Sequence, residues 1–299
     1  MNILCTGSSG FICSKLVERL KQDQRNNVQG FDIARGQDLR NMSQVRDAVR
    51  NKDVVFHLAA VADLNWARVH PNETEAINVK GTWNVAMACH EIKARLFFAS
   101  TICVYGNQDV HPVTEESLPR PAEIYAATKL AGENLIKGVH HTYGLDYNFM
   151  RFATIYGPGT RPALATHIFL GQALRGEPIT VHGHGLQTRT LTYIDDLIDG
   201  IVYLWESGKM NDAWNLTTKE EVSAIQMAED IKAVTQSKSP IIYIPQRIGQ
   251  TYRESISAQK MQHETGWEAG VKWADGINRM AKWFVDTKQV EKIYRMPEK

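Results

Sequence analysis

Cysteine is scarce: Cys5, Cys13, Cys89 and Cys103 are the only four in 299 residues. None forms a C-x-x-C pair or stands at zinc-like spacing from a histidine, so the pattern supports neither a disulfide scaffold nor a metal site. Free thiols suit a reducing cytoplasm. Long hydrophobic runs are missing too, and nothing approaches the ~18 apolar residues that a membrane span requires. Charge of one sign is absent, because 34 Lys and Arg stand against 33 Asp and Glu for a formal charge of +1. That balance gives no electrostatic reason to expect nucleic acid or a membrane surface as a partner. No leader-like pattern opens the chain; Asn2 to Thr6 already reads as a strand. Repeats and low-complexity tracts are lacking as well.

What is present is apolar content for a sizeable core, 43% of the residues. Short apolar runs near 2–6, 28–32, 53–58, 95–100 and 147–151 predict strands, and helical spacing over 11–22, 42–50, 73–92 and 123–142 fills the intervals. Asn72 and Glu75 have the spacing of a capping box at the start of the third helix. Strands alternating with helices predict an α/β fold with a doubly wound parallel sheet. After Arg151 the texture changes: Gly157, Pro158, Gly159 and Pro162 interrupt the chain, and Gly176, Pro178, Gly183 and Gly185 come after them. We expect a boundary there, with 1–156 forming a nucleotide-binding domain and 157–299 a smaller α/β substrate lobe. Part of 190–216 is expected to pack back on the first domain.

The first predicted strand runs into Thr6-Gly7-Ser8-Ser9-Gly10-Phe11-Ile12-Cys13, where a helix opens. Glycines in such a turn let backbone N–H groups approach a pyrophosphate, and the helix N-terminus adds about half a positive charge. A tight turn needs glycine anyway, so the spacing alone decides little. Asp32 adds to it, because it ends the second strand about 20 residues beyond the helix start, where a carboxylate accepts both ribose hydroxyls and repels a 2′-phosphate. This favours NAD over NADP, with Arg35 three residues on as a counterweight. Tyr125 and Lys129, four apart on one predicted helix, share a face. An ammonium near a phenol stabilises the phenolate, which makes the pair an acid/base candidate.

Taken together, Thr6 to Ile12, Asp32, His57-Leu58-Ala59-Ala60, Asn78 to Thr82, Val104-Tyr105-Gly106, Tyr125 to Lys129 and Arg151 through Gly159 resemble the extended short-chain dehydrogenase/reductases. The likeness continues through Gly183 to Arg189, Tyr193 to Asp196 and Gly266-Trp267, and its nearest subgroup is the NAD-dependent nucleotide-sugar epimerases and dehydratases. The resemblance implies a Rossmann-type fold and NAD as cofactor. It implies that Gly7, Gly10, Phe11 and Ile12 hold the pyrophosphate, Asp32 and Ile33 the ribose, and Asp38 and Leu39 the adenine. Leu58, Ala59, Ala60, Asn78, Ser100 and Phe152 would line the rest of the dinucleotide site. Tyr125 would be the acid/base, Lys129 would hold the nicotinamide ribose and lower the Tyr125 pKa, and Thr101 would hydrogen-bond the reacting sugar oxygen. Arg189, Arg247 and Arg253 would clamp the nucleotide diphosphate, a role suited to a planar fork of donors.

The two residues after Thr101 narrow the reaction. The family's 4,6-dehydratases carry acidic residues there, whereas this chain has Ile102 and Cys103, which favours C4 epimerisation of a UDP-hexose or UDP-hexuronate through a 4-keto sugar. Cys103 resembles the thiol of nucleotide-sugar 3,5-epimerase/reductases, which keeps that alternative open; a non-catalytic nucleotide sensor is a further one. Thr154 with Arg161-Pro162 resembles the UDP-glucuronate 4-epimerases, in which these residues meet the uronate carboxylate. Cys13 stands where the third loop glycine is expected, and crowding there is expected to cost on the order of 1–3 kcal/mol. The predicted helices over 73–92 and 123–142 carry apolar faces at Ile77, Val85, Ala88, Ile124, Leu130 and Ile136, and the resemblance implies that such helices pair across a two-fold axis into a homodimer.

Overall fold

A computed structural model of the chain describes residues 1–246 and 251–293. The first half alternates strands β1 (Asn2–Thr6), β2 (Asn27–Phe31), β3 (Val54–His57), β4 (Arg95–Thr101) and β5 (Tyr147–Phe152) with helices α1 (Phe11–Lys21), α2 (Met42–Val49), α3 (Leu64–Val69), α4 (Pro71–Glu75), α5 (Gly81–Ile92) and α6 (Ile124–Tyr143). The second half contains β6 (Thr154–Tyr156), α7 (Ala165–Arg175), β7 (Ile179–His182), β8 (Thr188–Tyr193), α8 (Ile194–Glu206), β9 (Asp212–Leu216), β10 (Glu221–Ser223), α9 (Ala224–Thr235), β11 (Ile241–Ile244), α10 (Gln259–Thr265) and α11 (Trp273–Asp286).

Six strands form one parallel sheet in the order β2-β1-β3-β4-β5-β9. The apolar runs behave as strands covered on both faces should: every residue of β3 and β5 is buried, whereas the edge strand β2 alternates exposed and shielded positions. The chain passes from β1 to β2 on one side, then crosses to β3 on the other. That reversal opens a crevice at the carboxyl ends of β1 and β3, the place where doubly wound sheets bind ligands. The expected α/β fold with a parallel doubly wound sheet is therefore present. Among the described residues no helix is long and apolar enough to cross a membrane.

The helix expected over 73–92 is instead built in three pieces: α4, a π turn over Ala76–Lys80, and α5. Its start is set by Pro71 at the first helical position rather than by a capping box, and Asn72 and Glu75 lie inside α4 with no side-chain cap. Beyond Arg151, β10-β8-β6 and β11-β7 form two small sheets. The core is not divided at residue 157. One apolar cluster joins Leu16, Leu20 and Val54 to Leu197, Ile201, Trp267 and Phe284, and β9 pairs with β5 in the main sheet.

Candidate active site

The turn from β1 into α1 is shaped for a phosphate. Gly7 has φ +76°, and a Cβ there would lie 2.8 Å from the Cα and N of Ala59, so only glycine fits the left-handed turn against the β3 loop. Gly10 caps α1 with extended backbone and no side-chain hydrogen bond, which leaves the first N–H groups of Phe11 and Ile12 directed out of the helix end. The opposite wall is fixed by Thr6 and His57. Thr6 Oγ1 lies 2.7 Å from His57 Nδ1 and accepts from Ala59 N at 3.3 Å, while His57 Nε2 lies 3.1 Å from Thr82 Oγ1. Burial drives the imidazole pKa down to about 3, so His57 is a neutral strut that positions Leu58, Ala59 and Ala60. Cys13 is buried and its thiol donates to Thr6 O at 3.4 Å.

Asp32 is buried at the end of β2, where Oδ2 accepts from Ser9 N at 2.8 Å and Oδ1 from Ala34 N at 2.9 Å. These bonds tie the carboxylate to the phosphate loop and leave it further acceptor capacity. Ile33 stands exposed beside it. The glycine cradle, the uncapped helix end and the buried carboxylate together fit a dinucleotide whose 2′ position carries a hydroxyl.

Several of the expected cofactor residues are engaged within the protein itself. Asn78 is fully buried, with Oδ1 accepting from Val61 N at 2.8 Å and Nδ2 donating to Val61 O at 3.0 Å and Thr128 Oγ1 at 3.0 Å. Its amide thus holds the β3 loop to α6 and acts by positioning. Ser100 turns inward and its hydroxyl donates to Glu133. Asp38 is paired with Arg40, whose guanidinium holds the carboxyl below its usual range, and Leu39 is buried in the core beside Val45 and Val85. Phe152, at the end of β5, is buried in the core.

Thr101 ends β4 and accepts from Cys103 N at 3.2 Å, Tyr125 stands in the first turn of α6, and the threonine hydroxyl favours the phenolate. Burial, seconded by Cys103, raises the Tyr125 pKa above its ordinary value, whereas Arg161 and Thr101 favour the anion. Lys129 is 2% exposed, its Nζ sits 4.2 Å from the Phe98 ring centroid, and burial lowers its pKa to about 7 while Glu133 pulls it back up. Burial also pushes the Cys103 thiol up to about 11, which leaves it protonated near neutrality.

Behind these groups lies a network that sequence reasoning missed. Arg151 Nε and Nη2 donate to the two Glu133 oxygens at 3.0 and 2.7 Å, Arg151 Nη1 donates to Tyr105 Oη at 2.8 Å, and Tyr105 Oη donates to Asn215 Oδ1 at 2.8 Å. The signals that could have found it were a glutamate one turn after Lys129 and an arginine inside an apolar strand.

The arginines expected on the substrate side are not equivalent. Arg189 Nη1 donates to Thr188 O and Thr251 O, and its Nε lies 3.5 Å from Glu254 Oε2. Arg253 is paired with Glu221 through Nε at 3.1 Å. Arg247 lies outside the described residues. Arg161 makes no side-chain ion pair among the described residues, and its charge reaches Tyr125. The Thr154 hydroxyl favours the anion of Glu254, a second residue that no motif singles out.

The model of the NAD dependent epimerase/dehydratase family matches residues 3–217. The chain is 30% identical over 293 residues to the "Uncharacterized UDP-glucose epimerase YtcB" of Bacillus subtilis (strain 168), covering 88% of this chain and 92% of that protein. It is 29% identical over 305 residues to "UDP-glucuronic acid decarboxylase 6" of Arabidopsis thaliana, covering 95% and 89% respectively. Its fold is similar to that of the UDP-glucuronic acid 4-epimerase from Bacillus cereus, solved in complex with UDP-glucuronic acid and NAD, with a TM-score of 0.91, 27% identity, and coverage of 96% of this chain and 100% of that one. The chain belongs to the NAD dependent epimerase/dehydratase family, whose cofactor fits the loop and carboxylate described above.

Proposed function

We propose that the protein is a nucleotide-sugar 4-epimerase acting on a UDP-hexose or UDP-hexuronate through a 4-keto sugar. The observation that carries this reading is Thr101 at the end of β4, whose hydroxyl favours the Tyr125 phenolate, followed by Ile102 and Cys103, which offer no carboxylate and a thiol held protonated. NAD, held by Gly7, Gly10, Phe11, Ile12, Asp32 and the Leu58 to Ala60 wall, supplies a reversible two-electron oxidation. The rest falls to the chain. Thr101 accepts or donates at the sugar oxygen, and Tyr125 removes the proton of the C4 hydroxyl and later returns it. Arg161 and Thr101 favour the phenolate while burial opposes it, so the phenol holds its proton until a further positive charge arrives. Lys129, buried one helical turn beyond the phenol, is the group placed to hold the cofactor ribose.

Residues 1–156 form the cofactor part in this reading, and 157–299 supply Arg161, Arg189, Arg247 and Arg253 toward the nucleotide diphosphate and sugar. We place the enzyme in the cytoplasm as a homodimer. Val85, Ala88 and Ile136 are buried in the subunit's own core, so the pairing surface would be what α5 and α6 leave accessible, including Ile92 and Ile124.

The test is to incubate the purified protein with UDP-glucose, UDP-glucuronate and their 4-epimers and monitor interconversion. Exchange within either pair is expected, and Tyr125→Phe should abolish it while NAD stays bound. Release of CO₂, a 4-keto-6-deoxy product, or solvent deuterium at C3 and C5 would replace the epimerase reading with a decarboxylase, a dehydratase or a 3,5-epimerase.

A further inference from the structure

We propose that Glu254 makes the site selective for a UDP-hexose with an uncharged C5 substituent and turns away the corresponding uronate; this rests on the epimerase reading above.

Thr154 and Arg161 are the residues whose pattern suggests a carboxylate-bearing sugar. In the folded protein, Thr154 already has a carboxylate nearby. Glu254 is 6% exposed, and on β8 its carboxyl group meets the Thr190 hydroxyl at 3.4 Å and Arg189 Nε at 3.5 Å; Thr190 precedes Leu191, the β8 residue paired with Thr154 of β6, and the Thr154 hydroxyl favours the Glu254 anion. Its backbone N–H donates to Thr188 Oγ1 at 3.3 Å, which fixes the residue against the small sheet. It also faces Cys103 in the turn after β4, so its charge reaches the neighbourhood of Thr101 and Tyr125.

A uronate carboxylate directed at Thr154 would compete with Glu254 for one hydroxyl and bring a second negative charge into a buried site. Like charges in such a place disfavour the doubly ionised state. A hydroxymethyl group has no such conflict, because its O–H donates to a carboxylate and its oxygen accepts from a threonine, whereas a carboxylate only accepts. Arg189 does not remove the conflict, since its Nη1 is held by two backbone carbonyls and its Nε faces Glu254 itself.

The arrangement has a pH signature. Burial raises the Glu254 carboxyl to about 7, against the lowering effects of Arg189, Thr190 and Thr154. Among the described residues, Arg189 acts on it and its own charge acts on Cys103, whose thiol stays protonated near neutrality. Selectivity against the uronate is therefore expected to grow as pH rises through neutrality.

The test measures kcat/KM for UDP-glucose and UDP-glucuronate, with NAD bound, for the native protein and Glu254→Gln. At about pH 8.5 the native protein should prefer UDP-glucose by roughly 10-fold or more, and the preference should narrow at about pH 6. Glu254→Gln should shrink the preference by roughly 10-fold at the higher pH and remove its pH dependence. Equal or better use of the uronate by the native protein overturns the proposal, as does a ratio that the variant leaves unmoved. If neither sugar turns over, the epimerase reading has failed, and calorimetric Kd values for the two nucleotides still decide the role of Glu254 by the same ratio.

Discussion

The Glu133–Arg151 pair is buried, and replacing its acid by an amide has a calculable consequence. The side chains of Arg151 and Glu133 are 4% and 1% exposed, and three donor groups converge on the carboxylate: Ser100 Oγ, Arg151 Nε and Arg151 Nη2. Glu133→Gln keeps the volume but leaves a guanidinium without its counter-charge in a site that water cannot reach. Breaking a buried pair in this way costs about 3–5 kcal/mol, which at roughly 2–4 °C per kcal/mol lowers Tm by about 6–20 °C. The assay is thermal and urea unfolding of the apo protein, monitored by circular dichroism. Because most of the loss is an uncompensated charge, Glu133→Gln combined with Arg151→Met should recover a substantial part of it. A single-variant loss below about 1 kcal/mol, or a double variant no more stable than the single one, would refute the reasoning. The same substitution removes the charge that pulls the Lys129 pKa upward, so the alkaline limb of the pH–rate profile should move to lower pH.

Two glycines and one lysine carry the remaining predictions. Gly7→Ala should abolish NAD binding, because its Cβ would strike Ala59 at 2.8 Å. Gly144→Ala, at φ +77° with nothing within 4 Å, should lose only about 1–2 kcal/mol of left-handed strain and keep its cofactor; equal NAD affinities in the two variants would contradict the proposed cradle. Lys129 is held at about 7 when folded against 10.5 in its ordinary state, so the unfolded chain binds more protons between those values. Apo stability should therefore rise with pH across that window, and Lys129→Met should flatten the rise; an unchanged slope in denaturation midpoints would show that the lysine does not titrate as described.

Much of the architecture was legible from local pattern. The five strands of the first half, and the helices α1, α2 and α6, stand close to where their apolar periods placed them, the strands because one covered on both faces must be apolar throughout. The phosphate turn was legible for a similar reason: Gly7 is required by backbone geometry that few other residues adopt. The third helix shows the limit of such reading. Its period was right, but the π turn over Ala76–Lys80 leaves no signature in composition, and that turn brings the Asn78 amide to Val61 and Thr128.

Fold class, cofactor loop and family could all be read from the order of residues, since each rests on positions close together in the chain whose type is dictated by backbone geometry or by a period. Which polar groups face the crevice and which face one another was settled by packing in three dimensions. Asn78 and Ser100 turn inward, Arg253 is occupied by Glu221, and Glu254 reaches Thr154 from 100 residues away in the chain. The reason is physical: a buried polar group must find a partner, and which partner lies within reach depends on how distant segments pack.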